Sequence, residues 1–280
     1  MSAAIDISPW MLALGYLLLL IPLGLMLALR ARLLKKSVAA LLRMTVQLVF
    51  VGFYLQVIFD LDRWWLNALW LLVMIAVADL SIISGSDLAF RRFLAPVGTS
   101  LFAGTLVPLV FFNWIILQLP GIFDAQYFIP IGGMIMGNCL RADIIGIRTF
   151  FQSVRNSRKA YFYALAQGAS LAEAQRPFFR SAFESALAPT VATMATIGLV
   201  SLPGMMTGII MGGADPATAI KYQIGIMIAI FTGTAMTVYA AITITARTSF
   251  TEYGTLKSGL FKEDRRKDKK YRGKNKRSET

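Results

Sequence analysis

The sequence predicts an all-α fold, a polytopic membrane bundle of about seven transmembrane helices. Hydrophobic residues make up 56% of its 280 residues, which is a high share for a soluble domain. They come in blocks of about twenty, the length that a helix needs to cross a hydrocarbon core of about 30 Å. Basic residues gather in alternate connections between these blocks, as they do in multi-pass membrane proteins.

Seven segments have the length and apolar character of a span. They are 10–29, 38–58, 64–84, 96–117, 127–147, 186–211 and 222–246. The connections after the first, third and fifth spans, and the segment after the seventh, are rich in Lys and Arg, whereas the others hold almost none. Because basic loops stay in the cytosol, we predict the N-terminus outside and the C-terminus inside, in a cell inner (plasma) membrane.

The residue types that the sequence lacks exclude several classes of function. The chain has no histidine and one cysteine, Cys139. An intrachain disulfide, an imidazole–thiolate metal site and Ser–His chemistry are therefore excluded. No G-x-x-x-x-G-K-[ST] loop is present, and the longest predicted loop, 148–185, leaves no room for a soluble domain. We expect a transporter subunit rather than an enzyme, with no cofactor, and any ATP hydrolysis would reside on a partner chain.

Composition divides the chain into a transmembrane domain, 1–250, and a basic tail, 251–280. From Lys262 onward the tail holds ten basic and four acidic residues, a pattern typical of disorder. Anionic lipid headgroups on the cytosolic side would attract it by about 1 kcal/mol per basic residue. Nucleic acid is not an expected partner, because Tyr271 is the only aromatic residue in this stretch that could stack on bases.

The loop at 161–177 predicts a helix–turn–helix elbow on the cytosolic face. An alanine-rich helix can stop at Gly168, and Ser170 with Glu173 forms a capping-box pattern that opens a second helix. Pro177 is expected to limit or kink that helix. Such an elbow can dock into a groove on a soluble partner, and the alternative is an amphipathic loop on the inner leaflet. The contact candidates are Ala164, Gln167, Gly168, Ala169, Ser170 and Glu173.

Several runs carry a family resemblance. The elbow and the Leu-Ala-Pro at 187–189 resemble the coupling loop of ABC permeases, although Phe162 stands where an acidic residue is usual. The runs Arg-Met-Thr-Val-Gln-Leu at 43–48, Gly-Asn at 137–138 and Ser-Leu-Pro-Gly-Met-Met-Thr-Gly at 201–208 resemble the FetB family, over about 12–246. This resemblance implies an efflux permease that pairs with a cytosolic ATPase, for iron in the bacterial branch. A plant aluminium-tolerance branch is similar, and a sugar nucleotide has been proposed as a substrate there.

The motif at 203–208 falls inside the predicted sixth span. Proline followed by glycine predicts a kinked or broken helix, which membranes tolerate only where protein or a watery cavity covers it. The candidates for a gate are Pro203, Gly204, Met205, Met206, Thr207 and Gly208. Glycines every four residues from Gly204 also predict close helix packing. Met205 and Met206 are possible soft metal ligands or simply packing residues.

Polar residues inside the spans form a second candidate group. They are Arg43, Gln47, Asp79, Asn138, Arg141 and Asp143. Charges in spans are costly and usually face the interior. We hypothesise that these residues line a vestibule open to the cytosol, with carboxylates that attract a cation. In the alternative, the arginines snorkel to the headgroups and the aspartates pair with them.

The sequence therefore favours the permease subunit of an ABC-type efflux transporter, for iron or another metal. The elbow would dock a cytosolic ATPase. We expect a homodimer, because a single bundle of this size is small for surrounding a gated transport path. The alternatives are an ABC permease for an organic solute such as a nucleotide sugar, and a membrane scaffold that recruits a partner without transport.

Overall fold

Helices make up most of the backbone that the structure describes. A computed structural model describes residues 6–61, 63–86 and 90–257, in which there are isolated β-bridges but no strand. The helices are α1 (Pro9–Gly15), a 3₁₀ turn (Tyr16–Leu19), α2 (Leu20–Ala28), α3 (Leu34–Leu61), α4 (Trp64–Gly85), α5 (Phe90–Phe111), a π-helical turn (Phe112–Ile116), α6 (Ala125–Asn156), α7 (Arg158–Ala166), α8 (Leu171–Thr196), α9 (Gly204–Met211) and α10 (Pro216–Ser249). The predicted fold class, a polytopic helical bundle, is confirmed.

Six helical stretches in the described part of the chain are long and apolar enough to cross a membrane. They are Pro9–Ala28, Leu34–Leu61, Trp64–Gly85, Phe93–Ile116, Ala125–Asn156 and Pro216–Ser249. They correspond to six of the seven predicted spans. The protein is thus a multi-pass membrane protein, as expected, while its orientation across the membrane stays a prediction.

The predicted span at 186–211 is not one helix. Helix α8 starts well before it, at Leu171, and ends at Thr196. Gly198 then adopts a left-handed conformation with φ of 85°, and the helix resumes only after Pro203. A left-handed glycine ends a helix and proline cannot donate to one, so these two residues bracket the break.

The region predicted as the loop 148–185 is also mostly helical. Helix α6 runs on to Asn156, α7 follows, and α8 continues through Pro177 rather than ending there. Charged residues at 176, 180 and 184 lower the hydropathy of this stretch, and a helix that continues past the apolar zone is invisible to a search for spans.

Helices α4, α5, α6, α8 and α10 pack into one bundle, which we define as residues 64–249. Its tightest crossing is between α5 and α10. A side chain on Gly233 would place its Cβ 2.6 Å from the carbonyl oxygen of Gly104, a distance that no real Cβ occupies. Glycine at both positions therefore lets the two backbones meet.

The first three helices lie at the side of the bundle, and we call residues 9–61 the N-terminal arm. The end of α3 contacts the bundle, where the ring of Tyr54 packs on Trp70 with centroids 3.9 Å apart. Ile58 is the one buried residue of the arm. Apolar side chains such as Leu18 and Phe53, each 71% exposed, cover the rest. The arm thus presents an apolar surface to its surroundings on almost every side.

The first residues of the predicted tail are folded onto the bundle. The backbone N–H of Thr251 donates to the carbonyl of Thr255 at 2.9 Å, and that of Lys257 donates to Ser249 at 2.9 Å. The predicted disorder of 258–280 lies outside the described residues.

Candidate functional site

Two acidic side chains lie near each other in the interior of the bundle. Asp79 lies on α4 and Asp143 on α6, which pack against each other, and a charge on Asp79 acts on Asp143. Asp79 is 4% exposed and Asp143 is fully buried. Within the described residues, neither carboxylate has an ion-pair partner, since the ion pair there joins Arg180 to Glu184. Both carboxylate oxygens of Asp143 and Oδ1 of Asp79 also lack a hydrogen bond.

The surroundings of this acid pair are small and polar. A Cβ on Gly98 of α5 would lie 3.2 Å from Oδ2 of Asp79, so this glycine leaves room beside the carboxylate. Thr237 of α10 neighbours both Cys139 and Asp143, but its hydroxyl donates to the carbonyl of Thr234 at 3.1 Å. Thr234 lies one turn before Thr237 on α10, and its hydroxyl oxygen is buried without a hydrogen-bond partner in the described part of the chain.

This arrangement is chemically incomplete. An unpaired carboxylate inside a membrane protein is costly, and two of them repel. Protons or a cation would relieve both costs, and carboxylate and hydroxyl oxygens are ligands that hard cations prefer. The described residues contain no group of three His, Cys, Asp or Glu side chains that could hold a metal ion. Any metal bound here would therefore take hydroxyl or carbonyl oxygens as well.

The structure divides the predicted polar set into three places. Asp79 and Asp143 are both buried in the bundle, and among the described residues neither Arg43 nor Arg141 forms an ion pair with them. The vestibule open to the cytosol stays a prediction. Asn138 and Arg141 bond to their own helix: Nδ2 of Asn138 donates to the Met134 carbonyl at 2.8 Å.

The other members lie elsewhere. Nε of Arg141 donates to the Gly137 carbonyl at 3.2 Å, and this side chain is exposed. Arg43 and Gln47 are both exposed on the N-terminal arm. They share one face of α3, as their spacing of four predicts, but that face does not meet the acid pair.

The elbow contains the capping box that its sequence pattern describes. The backbone N–H of Ser170 donates to Oε2 of Glu173 at 2.8 Å, and the backbone N–H of Glu173 donates to Oγ of Ser170 at 3.3 Å. The Ser170 hydroxyl and then its N–H lower the pKa of Glu173. Gly168 turns the chain with φ of 91°. Gln167, Gly168 and Ser170 form the exposed tip, with Ala164 and Ala169 half-buried behind it.

A tyrosine that the sequence did not single out connects the elbow to the bundle. Tyr161 of α7 is 2% exposed, and its hydroxyl donates to the carbonyl of Gly254 at 3.0 Å. Burial raises the pKa of this phenol, so it stays protonated and able to donate. Its ring packs beside Phe250 and Phe178. Displacement of α7 therefore acts directly on the end of α10.

The predicted gate motif, residues 203–208, lies at the start of α9. Pro203 precedes the helix, and Oγ1 of Thr207 donates to the carbonyl of Gly204 at 2.9 Å. Gly204 and Gly208 have no atom within 4 Å of an added Cβ. The glycine strip is thus an open face in a single copy of the chain.

The two methionines of this motif differ little in exposure. Met205 and Met206 are both half-buried, and Met205 packs against the apolar core. Their role as soft metal ligands stays a prediction.

The fold and the acid pair define a class, a multi-pass helical membrane protein with an ionisable site in its interior. The family model of the "Uncharacterised protein family (UPF0014)" matches residues 9–250, and the chain belongs to this family. No solved structure matches the chain.

Named relatives extend from bacteria to plants. The Bacillus subtilis "UPF0014 membrane protein YjkA" is 30% identical over 247 residues, 88% of this chain and 97% of that protein. The Escherichia coli "Probable iron export permease protein FetB" is 31% identical over 206 residues, 73% of this chain and 78% of that protein. The rice "UPF0014 membrane protein STAR2" is 34% identical over 199 residues, 67% and 65% of the two chains.

Proposed function

We propose that the protein is the membrane-spanning permease subunit of an ABC-type efflux transporter that exports iron or a similar metal cation. The observation that carries this proposal is the acid pair, two buried carboxylates with unused oxygens in the middle of the bundle. The name of the Escherichia coli relative, a probable iron export permease, supports the same class of cargo. The absence of histidine rules out imidazole ligands.

The acid pair holds the charge of the cargo during transport. A cation that enters from the cytosolic side loses its water and is compensated by Asp79 and Asp143, which otherwise carry the cost of burial. Because the site is closed to both sides, transport requires a conformational change. The break at 197–203, next to the glycine face of α9, is the segment that opens outward.

A separate cytosolic ATPase supplies the energy by docking on the elbow at 161–177. The tip formed by Gln167, Gly168 and Ser170 is exposed, whereas Tyr161 behind it is hydrogen-bonded to the chain just after α10. A push on the tip therefore reaches α10, whose residue Thr237 neighbours Asp143.

The permease works as a homodimer in the inner membrane. The N-terminal arm and the open glycine face of α9 are unpartnered in one copy. A second copy that covers them would enclose the path and offer the ATPase two docking elbows.

Iron retention in cells tests the proposal. Cells loaded with iron should hold less of it when they express the chain with its active ATPase than with an ATPase that cannot hydrolyse ATP. D79N and D143N, expressed at normal levels, should remove the difference. Unchanged transport in either variant would exclude that residue from the path.

The same experiment separates the alternatives. Equal iron with active and inactive ATPase removes iron as the cargo, and nucleotide sugars become the next solutes to assay. The lack of a group of three His, Cys, Asp or Glu side chains among the described residues is the observation that favours an organic solute as the alternative cargo. A scaffold without transport would show ATPase binding whose ATP hydrolysis responds to no solute.

A further inference from the structure

A groove runs between the start of α8 and the end of α10. It begins at Leu171, next to the elbow tip, and its lining includes neither Asp79 nor Asp143. Its volume is about 800 Å³, within the range of sites for small organic molecules. The residues that characterise it are Gln175, Arg176, Phe179, Tyr239, Arg247 and Glu252.

The groove changes in character along its length. The helices are antiparallel, so Leu171 at the start of α8 lies level with the end of α10. Glu252 marks that end of the groove, the two arginines follow, and Phe179 faces Tyr239 at the other. Arg176 precedes Phe179 by three residues, about 4.5 Å along α8, and Arg247 follows Tyr239 by eight residues, about 12 Å along α10. A ligand in the groove would therefore meet charge first and aromatic rings further in.

The charges in the groove are not balanced. Arg176 and Arg247 are both exposed, and neither forms an ion pair with an acid among the described residues. Glu252 is the acid in the lining, which leaves a net charge of one positive unit. A phosphodiester carries one negative charge and accepts the paired N–H bonds of guanidinium groups.

The opposite end of the groove is built for an apolar chain. The rings of Phe179 and Tyr239 meet edge to face, with centroids 5.4 Å apart. Tyr239 remains 59% exposed, so the ring pair forms an open wall. Aromatic rings with a polar end are typical of the zone where headgroups give way to acyl chains.

The groove also lies at the depth of the lipid headgroups. Helix α10 has 34 residues, a length of about 51 Å, whereas the hydrocarbon core is about 30 Å thick. Its last turn, with Arg247, therefore extends into the headgroup region. The basic residues of α6, α7 and α8 gather at the same end of the bundle, as expected for the leaflet that carries anionic lipids.

We propose that this groove is a binding site for an anionic phospholipid, with the phosphodiester between Arg176 and Arg247 and an acyl chain along Phe179 and Tyr239. The site joins the α8 part of the elbow, which holds Gln175 and Arg176, to α10, which borders the acid pair. The proposal does not depend on the cargo or on the ATPase, so it stands or falls separately from the proposed function.

The test is lipid binding by the full chain, purified in mild detergent and followed by native mass spectrometry. Phosphatidylglycerol and phosphatidylcholine with identical acyl chains serve as probes. The variants are R176Q, R247Q and the double variant. R180Q is the matched control, because Arg180 is on the same helix, does not line the groove, and pairs with Glu184 at 2.8 Å. The basic tail is present in every variant and contributes the same background.

We expect tighter binding of phosphatidylglycerol than of phosphatidylcholine. Each arginine variant should weaken it about fivefold and the double variant about 25-fold, from an attraction of about 1 kcal/mol per basic residue. R180Q should stay within about twofold of the wild type. The proposal is overturned if the double variant binds phosphatidylglycerol as the wild type does. It is also overturned if water-soluble glycerol phosphate competes as well as the lipid, because the aromatic end would then have no ligand.

Discussion

The N-terminal arm and the bundle have similar compositions and opposite surroundings. Half of the apolar stretch of α6 and of α10 is buried inside the protein, and none of the apolar stretches of the arm is. Polar residues follow the same division. The bundle buries its acids at Asp79 and Asp143, whereas the arm displays Arg43 and Gln47 on an exposed face.

The difference teaches that hydropathy identifies spans but not their roles. A span that packs on four neighbours can hold an unpaired carboxylate away from lipid, because protein surrounds it. A span without neighbours must satisfy its polar groups by reaching the headgroups or by meeting another copy of the chain. We therefore assign the transport path to the bundle and assembly to the arm, and the following predictions test that assignment.

Neutralising a buried acid should have the largest effect. D143N keeps the shape of the side chain but removes the charge that compensates a cation, so we expect a loss of efflux of at least about tenfold. R43Q removes a charge on the arm, and one copy of the chain should transport normally without it. Metal retention in cells that express equal amounts of each variant is the measurement. Equal loss in both variants would place the path along the arm as well.

Packing at the α5–α10 crossing should dominate stability. A Cβ on Gly233 would come within 2.6 Å of the Gly104 carbonyl oxygen, so G233A should lower the free energy of unfolding by about 1–3 kcal/mol. G52A on the arm is the control, because an added Cβ there meets nothing within 4 Å. Thermal unfolding in detergent compares the two variants. A melting temperature that is the same for both would mean that the two helices do not approach as described.

A smaller effect is expected at the elbow. Gly168 has φ of 91° and free space around it, so G168A costs only the backbone strain of a left-handed residue, about 1 kcal/mol. If docking requires this turn, association with the ATPase should weaken about fivefold. G24A on the arm has the same free space without the positive φ and should bind normally. Wild-type affinity in G168A would show that the ATPase does not depend on the turn.

The smallest effect concerns pH. Hydrogen bonds from Ser170 lower the pKa of Glu173 below its ordinary 4.5. A group whose folded pKa is lowered stabilises the fold above its unfolded pKa, and this stabilisation is lost as the pH falls through the folded value. Amide exchange in the first turn of α8 should therefore show less protection at about pH 3 than at about pH 6, after correction for intrinsic rates. E173Q should show no such change, and a change of equal size in E173Q would exclude Glu173 as its cause.

Much of the fold could be predicted because a membrane restricts it. Blocks of apolar residues located six of the spans, and the Pro203–Gly204 step pointed to a discontinuous helix. The length of α8 could not be predicted in this way, since its first fourteen residues include Arg176, Arg180 and Glu184 and have no apolar signature. The start of the break depends on Gly198, which adopts a left-handed conformation. Because glycine adopts positive and negative φ about equally readily, the sequence alone does not predict this conformation.

The candidate site was only half visible in the sequence. Intramembrane aspartates are conspicuous, but whether Asp79 faces Asp143 depends on how α4 and α6 are rotated about their axes. Spacing within one helix cannot fix a rotation between two. Arg43 and Gln47 share a face as their spacing indicates, yet the arm carries that face away from the site. The hydrogen bond from Tyr161 to Gly254 joins residues 93 positions apart, and no local sequence pattern predicts it.

Reconstitution tests the central claim, that this bundle is a metal path driven by a separate ATPase. The purified chain and its ATPase are placed in liposomes with the elbow facing outward, and radioactive iron is added outside with or without ATP. We predict that iron accumulates inside only when the chain, the active ATPase and ATP are all present. Equal iron inside liposomes with active and inactive ATPase, although the two subunits bind each other, would contradict the account.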